Sequence, residues 1–193
     1  MDGLHKIEAF IILDYSGKRV FAKYFQQNPF DAPGSAAAKP AWPTVQSQLE
    51  FERIIKSKVV TPEGEGPITT AEGDIMLCNG HIVVFHRDAE LLFFTVGPSH
   101  ENELVLSTVQ ATIIDSLSQL LQVQNNFDKR TLLENFFILS LVLDEVIDDG
   151  MILEVSTSSV VQEVAPFATP DSQAADGAQK ALKSINKYLK QNL

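Results

Sequence analysis

The chain has 193 residues, 45% of them hydrophobic and 21% charged, with a formal net charge of −10. That length suits one compact domain with appendages, able to bury about 70% of the unfolded chain's surface. The acidic balance argues against nucleic-acid binding and against a generally basic membrane-binding face. The single Cys78 excludes an internal disulfide and suits a reducing compartment. The longest apolar run, Phe136 to Leu143 broken by Ser140, is too short to span a membrane, and the N-terminus has no apolar signal core. The charge is uneven: residues 171–193 hold four Lys and two Asp, so the rest carries −12.

In chain order, Ile7 to Leu13 reads as an interior strand, apolar on both faces. Asp14-Tyr15-Ser16-Gly17 turns it into a second strand over 19–25. Residues 26–43, rich in Pro, Ala and Gly, read as an extended loop. Phe51, Ile54, Ile55 and Val59 mark a helix over about 44–58, with Ser47 and Glu50 as a capping pair. Residues 61–73 are a second extended loop. Three short strands follow: 75–78, a turn at Asn79-Gly80, 81–86, and 91–96. Ser99 is placed to cap the next helix, whose stripe is Leu106, Val109, Ile113, Leu117 and Leu120. Asn125-Asn126 breaks it. Asp128 caps a helix that runs to Asp149, with Gly150 as its C-terminal stop. Ser159 and Gln162 suggest one short turn near 160–164. Residues 166–177 read as a linker and 178–193 as an amphipathic C-terminal helix, leaving 1–165 as the core domain. The order β-β-α-β-β-β-α-α implies an α+β fold: a five-stranded, mostly antiparallel sheet flanked by helices, plus a C-terminal helical appendage.

The sequence offers little chemistry. His81 and His86 are an odd number apart on one strand and face opposite sides. Cys78 sits in an apolar strand with no histidine near it in sequence, as an inert thiol does. Gly64-Glu65-Gly66-Pro67 lacks the Lys and helix of a phosphate loop. Ser16, Ser116 and Ser140 have no nucleophile-elbow motif around them. No catalytic, cofactor-binding or metal residue is assigned.

The helix over 129–149 is more informative. Leu132, Phe136, Leu139 and Leu143 line one face, while Phe137, Ile138 and Leu141 point elsewhere on the wheel. A surface helix in a small monomer needs one apolar stripe. This one is suited either to be sandwiched at the centre of its own domain or, the preferred reading, to lie between its own sheet and a partner chain. At its end, Asp144, Glu145, Asp148 and Asp149 crowd a turn where the helix dipole disfavours negative charge. They read either as a solvated helix end or as a salt-bridging surface for a basic partner. The expected interface residues are Leu132, Phe136, Phe137, Leu141, Asp144, Glu145 and Asp148.

Several of these stretches look familiar. Ile12-Leu13-Asp14, Gly17-Lys18-Arg19, Ala22-Lys23-Tyr24, Glu101-Asn102-Glu103-Leu104, Asp115-Ser116-Leu117-Ser118 and Lys129 through Asn135 resemble a coatomer zeta subunit. Leu143 through Glu154 completes the pattern. More distantly the chain is similar to the small sigma chains of clathrin adaptors, which share the longin-type fold. The two loops 26–43 and 61–73 look longer than the family pattern requires. The resemblance covers about residues 7–165. It implies a longin/profilin-like core and a non-enzymatic subunit of the COPI coat that needs no cofactor. Such a subunit pairs with the trunk of the coatomer gamma subunit and assembles with other coatomer subunits. It meets an Arf-family GTPase indirectly through the coat. It is cytoplasmic and peripheral on Golgi membranes, supporting Golgi-to-endoplasmic-reticulum and intra-Golgi vesicle transport. Two other classes compete: a longin-type adaptor or regulator that binds a small GTPase directly, and a metabolite sensor on a profilin-like scaffold. Two readings of the tail 178–193 compete, a basic amphipathic helix lying on an anionic membrane and a protein-docked or partly mobile appendage; the second is preferred, since its apolar face has two Ala and no Trp or Phe.

Overall fold

The structure, a computed structural model, describes residues 5–25, 41–60, 74–123 and 127–168. Residues 26–40 and 61–73, most of the expected linker and the whole C-terminal helix lie outside the described residues.

Five strands form one sheet: β1 (Ala9–Asp14), β2 (Arg19–Tyr24), β3 (Asp74–Cys78), β4 (His81–Arg87) and β5 (Leu91–Pro98). Their spatial order is β2-β1-β5-β4-β3, and every neighbouring pair is antiparallel. Hairpin turns set the local pairs, as the sequence implies. The Asn79-Gly80 turn has φ of 51° and 81°, the doubly positive backbone of a tight hairpin turn. The pairing of β1 with β5, Ala9 opposite Val96 and Asp14 opposite Leu91, puts β1 inside the sheet.

Alternation along the strands splits the core in two. Ala9, Ile11, Leu13, Val83, Phe85, Leu92, Phe94 and Val96 face α1 (Val45–Val59), which buries Phe51, Ile55 and Val59 against them. Phe10, Ile12, Val84, Leu91 and Phe93 face the other way, under α2 (Glu103–Leu121), α4 (Phe136–Val146) and α5 (Thr157–Ala168). α2 is long and apolar enough by composition to cross a membrane, contrary to the run-length reading. Here it is a core helix: Leu106, Val109, Ile113 and Leu117 are fully buried, and Gln110 donates to the carbonyls of Val84 and Phe93 at 3.2 and 3.1 Å.

Helix ends differ from the sequence reading in four places. α1 is capped by Thr44, with Ser47 at the third helical position completing the reciprocal pair; Ser47 is not the cap. α2 is capped by Asn102, whose side chain accepts from Leu104 N at 2.9 Å, and Ser99 lies outside. Glu101 is used instead to hold the N-terminal segment, accepting from Lys6 N at 2.7 Å and contacting His5 at 2.8 Å. α2 ends at Gln122 in the left-handed region (φ 55°), before Asn125-Asn126, which lie outside the described residues.

The third and largest difference is the helix expected over 129–149. Asp128 caps it as expected, accepting from Thr131 N. But it breaks at Asn135 into α3 (Lys129–Glu134) and α4, and it ends at Val146. Asn135 has φ −109° and ψ 28°, and its side chain donates to Thr131 O at 2.9 Å. A residue that competes for the backbone in this way favours a helix end over a helix interior. Ile147–Asp148 (β6) and Met151–Ile152 (β7) then form a hairpin, with Asp149 and Gly150 at its turn (φ 45° and 84°). Gly150 is therefore a hairpin residue and not the helix stop. A Cβ there would lie 2.5 Å from Ile7 O, whose own N–H donates to Gly150 O at 2.8 Å. The fourth difference is α5. It has twelve residues where one short turn was expected, and it runs through Pro166 to Ala168, past the start of the expected linker.

A candidate partner surface on α3 and α4

α4 packs its inner side into the core under α5: Ile138, Leu139, Val142, Leu143 and Val146 are buried. Its outer side carries Phe136, Phe137 and Leu141 beside Ser140, Asp144 and Glu145, and this chain covers those apolar side chains only in part. Phe136 is 42% exposed and Leu133 on α3 is 49% exposed, while Phe137 and Leu141 are half-buried. Phe136 rests on the buried Phe21 of β2 with ring centroids 5.5 Å apart, so the sheet edge supports the inner side of its ring. Leu132 is different: at 1% exposure it belongs to this chain's own core. That removes it from the expected interface.

The acidic group divides too. Asp144 is exposed at the end of α4 and pairs with Lys23 of β2. Glu145 is half-buried on the same helix. Asp148 and Asp149 are exposed in the β6–β7 hairpin, so they do not load the helix C-terminus. The expected clash with the helix dipole is thereby reduced to Asp144 and Glu145, and Lys23 neutralises one of them.

Two tethers fix α3 in place. Lys129 Nζ donates to Asp14 Oδ2 at 2.7 Å, and Lys129 N donates to Glu90 at 3.1 Å. Burial raises the Asp14 carboxyl, but hydrogen bonds from Lys129, Ser16 and Lys18 N outweigh it and hold the group well below the usual carboxylate range. Asp88, at the β4–β5 turn, accepts from Phe127 N at 2.8 Å and so anchors the segment leading into α3.

Across the sheet, α1 is held by a polar network that sequence reasoning did not find. Glu52 is almost fully buried, pairs with Arg19 at 2.6 Å and accepts from Tyr24 Oη at 2.9 Å. Burial first, and then the Glu52 charge, push the Tyr24 phenol above its ordinary range. Trp42 closes over Phe51 and His81, each at 4.6 Å between centroids, and His81 bonds Glu8 at 2.6 Å. The only hint in the sequence was a Glu inside an apolar helical stripe, with complementary charges on strand positions nearby. His86 faces the other side of the sheet, and burial lowers its pKa against the pull of Asp88 and Asp115. Among the described residues no three His, Cys, Asp or Glu side chains come together as a metal site.

The geometry is that of a sheet-and-helix body with an open apolar flank, and similarity to known proteins gives it a class. A family model described as the clathrin adaptor complex small chain matches residues 6–170. In fold, the chain is similar to one in a homology model of the full-length AP-3 complex in a stretched open conformation. The TM-score is 0.57 at 16% identity, covering 94% of this chain and 98% of that one. Among characterised relatives, it is 34% identical to bovine coatomer subunit zeta-1 over 98% of this chain and 94% of the relative. It is 31% identical to the coatomer subunit zeta-1 of Oryza sativa subsp. japonica over 100% and 99%. The chain therefore belongs to the clathrin adaptor small-chain family, and within it to the coatomer zeta subunits.

Proposed function

We propose that this chain is a small, non-enzymatic subunit of the COPI vesicle coat. In this role it pairs with the trunk of the coatomer gamma subunit and assembles with the other coatomer subunits. It acts at the cytoplasmic face of Golgi membranes in retrograde and intra-Golgi transport, and an Arf-family GTPase recruits it only through the assembled coat. The observation that carries the reading is the part-open apolar row Leu133, Phe136, Phe137 and Leu141 on α3 and α4. Covering one such side chain stabilises an assembly by about 1.5–3 kcal/mol. Family membership supplies the identity of the coat.

Co-expression with a coatomer gamma trunk tests the pairing. The expected result is a one-to-one complex that survives gel filtration, with the chain alone binding an apolar dye or self-associating. A chain that is a clean monomer alone and forms no complex with the gamma trunk overturns the pairing.

A further inference from the structure

α1 turns one flank toward the β1–β2 turn, and the fold leaves most of that flank uncovered. Val45, Leu49, Arg53 and Lys56 lie on this side of the helix, about one turn apart. Two contacts set the orientation. Glu52 pairs with Arg19 of β2, and the Lys56 stem lies over Gly17, where a Cβ would come within 3.6 Å of its Cδ. Lys18, next in the turn, is exposed, as is Arg53, and Lys56 is half-buried. Val45 is 63% and Leu49 45% exposed.

The neighbouring acids are committed elsewhere. Glu52 is almost fully buried and taken by Arg19 and Tyr24. Asp14 is held by Lys129, Ser16 and Lys18 N. On α1 that leaves Glu50, which is exposed, and among the described residues no carboxylate pairs with Lys18, Arg53 or Lys56. The net charge of −10 argues against a basic face overall. In physiological salt, however, exposed charges more than about 8 Å apart are largely screened, so this flank presents a local positive field.

We propose that this flank of α1 is a contact for an anionic lipid surface. An acidic protein offers the same charge, but protein interfaces are depleted of Lys and centre on aromatic or Arg anchors seated in pockets. Here two Lys, one Arg and two aliphatic side chains project from the outside of the molecule, with no aromatic anchor among them. Ammonium heads beside protruding Leu and Val suit a layer of anionic headgroups over acyl chains. Each cation strengthens such binding about fivefold, so three give a salt-sensitive, auxiliary hold. α1 covers the opposite face of the sheet from α4, so a lipid surface and a partner chain can be engaged together. The contact belongs to this chain's own surface and stands or falls apart from the gamma pairing.

Flotation of the full chain with phosphatidylcholine vesicles, with and without phosphatidylserine, tests it. Binding should require phosphatidylserine and fade with added salt. K18Q/R53Q/K56Q should bind at least about tenfold less well while keeping the unfolding midpoint of the unaltered chain. K18R/K56R should bind as the unaltered chain does. The proposal is overturned if the unaltered chain does not float with phosphatidylserine, or if the triple Gln variant floats equally well. It is also overturned if binding is lost only when Lys180, Lys183, Lys187 and Lys190 are changed to Gln, which would assign the lipid contact to the tail. A triple Gln variant that floats normally but fails to enter the assembled coat would make the occupant an acidic protein instead.

Discussion

α2 and the α3–α4 pair are both rich in apolar residues, and the structure treats them differently. α2 has one apolar side and uses all of it, with Leu106, Val109, Ile113 and Leu117 sealed between sheet and helices. Its outer side carries Glu103, Thr108, Asp115 and Gln119, and Leu104 is its single exposed large apolar residue. α4 fills its share of the same core and still has Phe136, Phe137 and Leu141 left over. Apolar content therefore says little about function; apolar content in excess of what the fold can cover says a great deal.

Truncating the two helices is the strongest way to break this contrast. Leu117→Ala should cost the isolated chain about 2–5 kcal/mol of stability, measured by denaturant unfolding. Phe136→Ala should cost far less in the same assay, and equal losses would mean α4 is as much core as α2. For the partner complex the ranking should invert. Removing Phe136 or Leu141 should weaken it by about 1.5–3 kcal/mol per side chain in a competition assay. Wild-type affinity in the double variant would remove α4 from the interface.

The tethers of α3 give smaller effects. Asp14→Asn loses the charged acceptor of Lys129, Ser16 and Lys18 N, and should cost about 1–3 kcal/mol. The folded Asp14 carboxyl is depressed below its ordinary value of 3.8, so the unfolded chain binds its proton first as pH falls. The stabilisation is thus complete above that value and is lost as pH drops through the folded one. Acid unfolding curves of the wild type and D14N should converge at the lowest pH; parallel curves would show that Asp14 contributes nothing through its charge. Smallest of all, breaking the exposed Lys23–Asp144 pair by Asp144→Asn should change stability by less than about 1 kcal/mol. A loss above that in a double-mutant cycle would make the pair a structural clamp on α4.

Much of the architecture was legible because local chemistry dictated it. Asn79-Gly80 demands a hairpin, Ile7 to Leu13 demands two buried faces, and Asp128 starts a helix. What escaped had causes outside the local pattern. The break at Asn135 sits in an apolar periodicity that runs straight through it, and only the amide bonding back to Thr131 marks it. The β6–β7 hairpin looks like a helix end because Asp149-Gly150 suits both a C-terminal stop and a turn. Tertiary contact decides, with Gly150 seated on Ile7. For the surface, Phe136, Phe137 and Leu141 were legible from the helical wheel. Leu132 was not: the wheel puts it on one face with Leu139 and Leu143, and it is buried with them, while Phe136 of that same face is exposed.

The N-terminal strand also has a history in time. Ala9 pairs with Val96, and the residues just before it are clasped by Glu101, Gly150 and Met151. A ribosome adds about 5–20 residues per second, so this apolar strand meets β2 almost at once but waits several seconds for β5 on its other edge, and longer for its clasp. Folds built on such distant pairings close slowly and expose aggregation-prone strands meanwhile. Until then one edge of Ile7 to Leu13 stays open, so this architecture is most vulnerable to wrong pairing before the chain is complete.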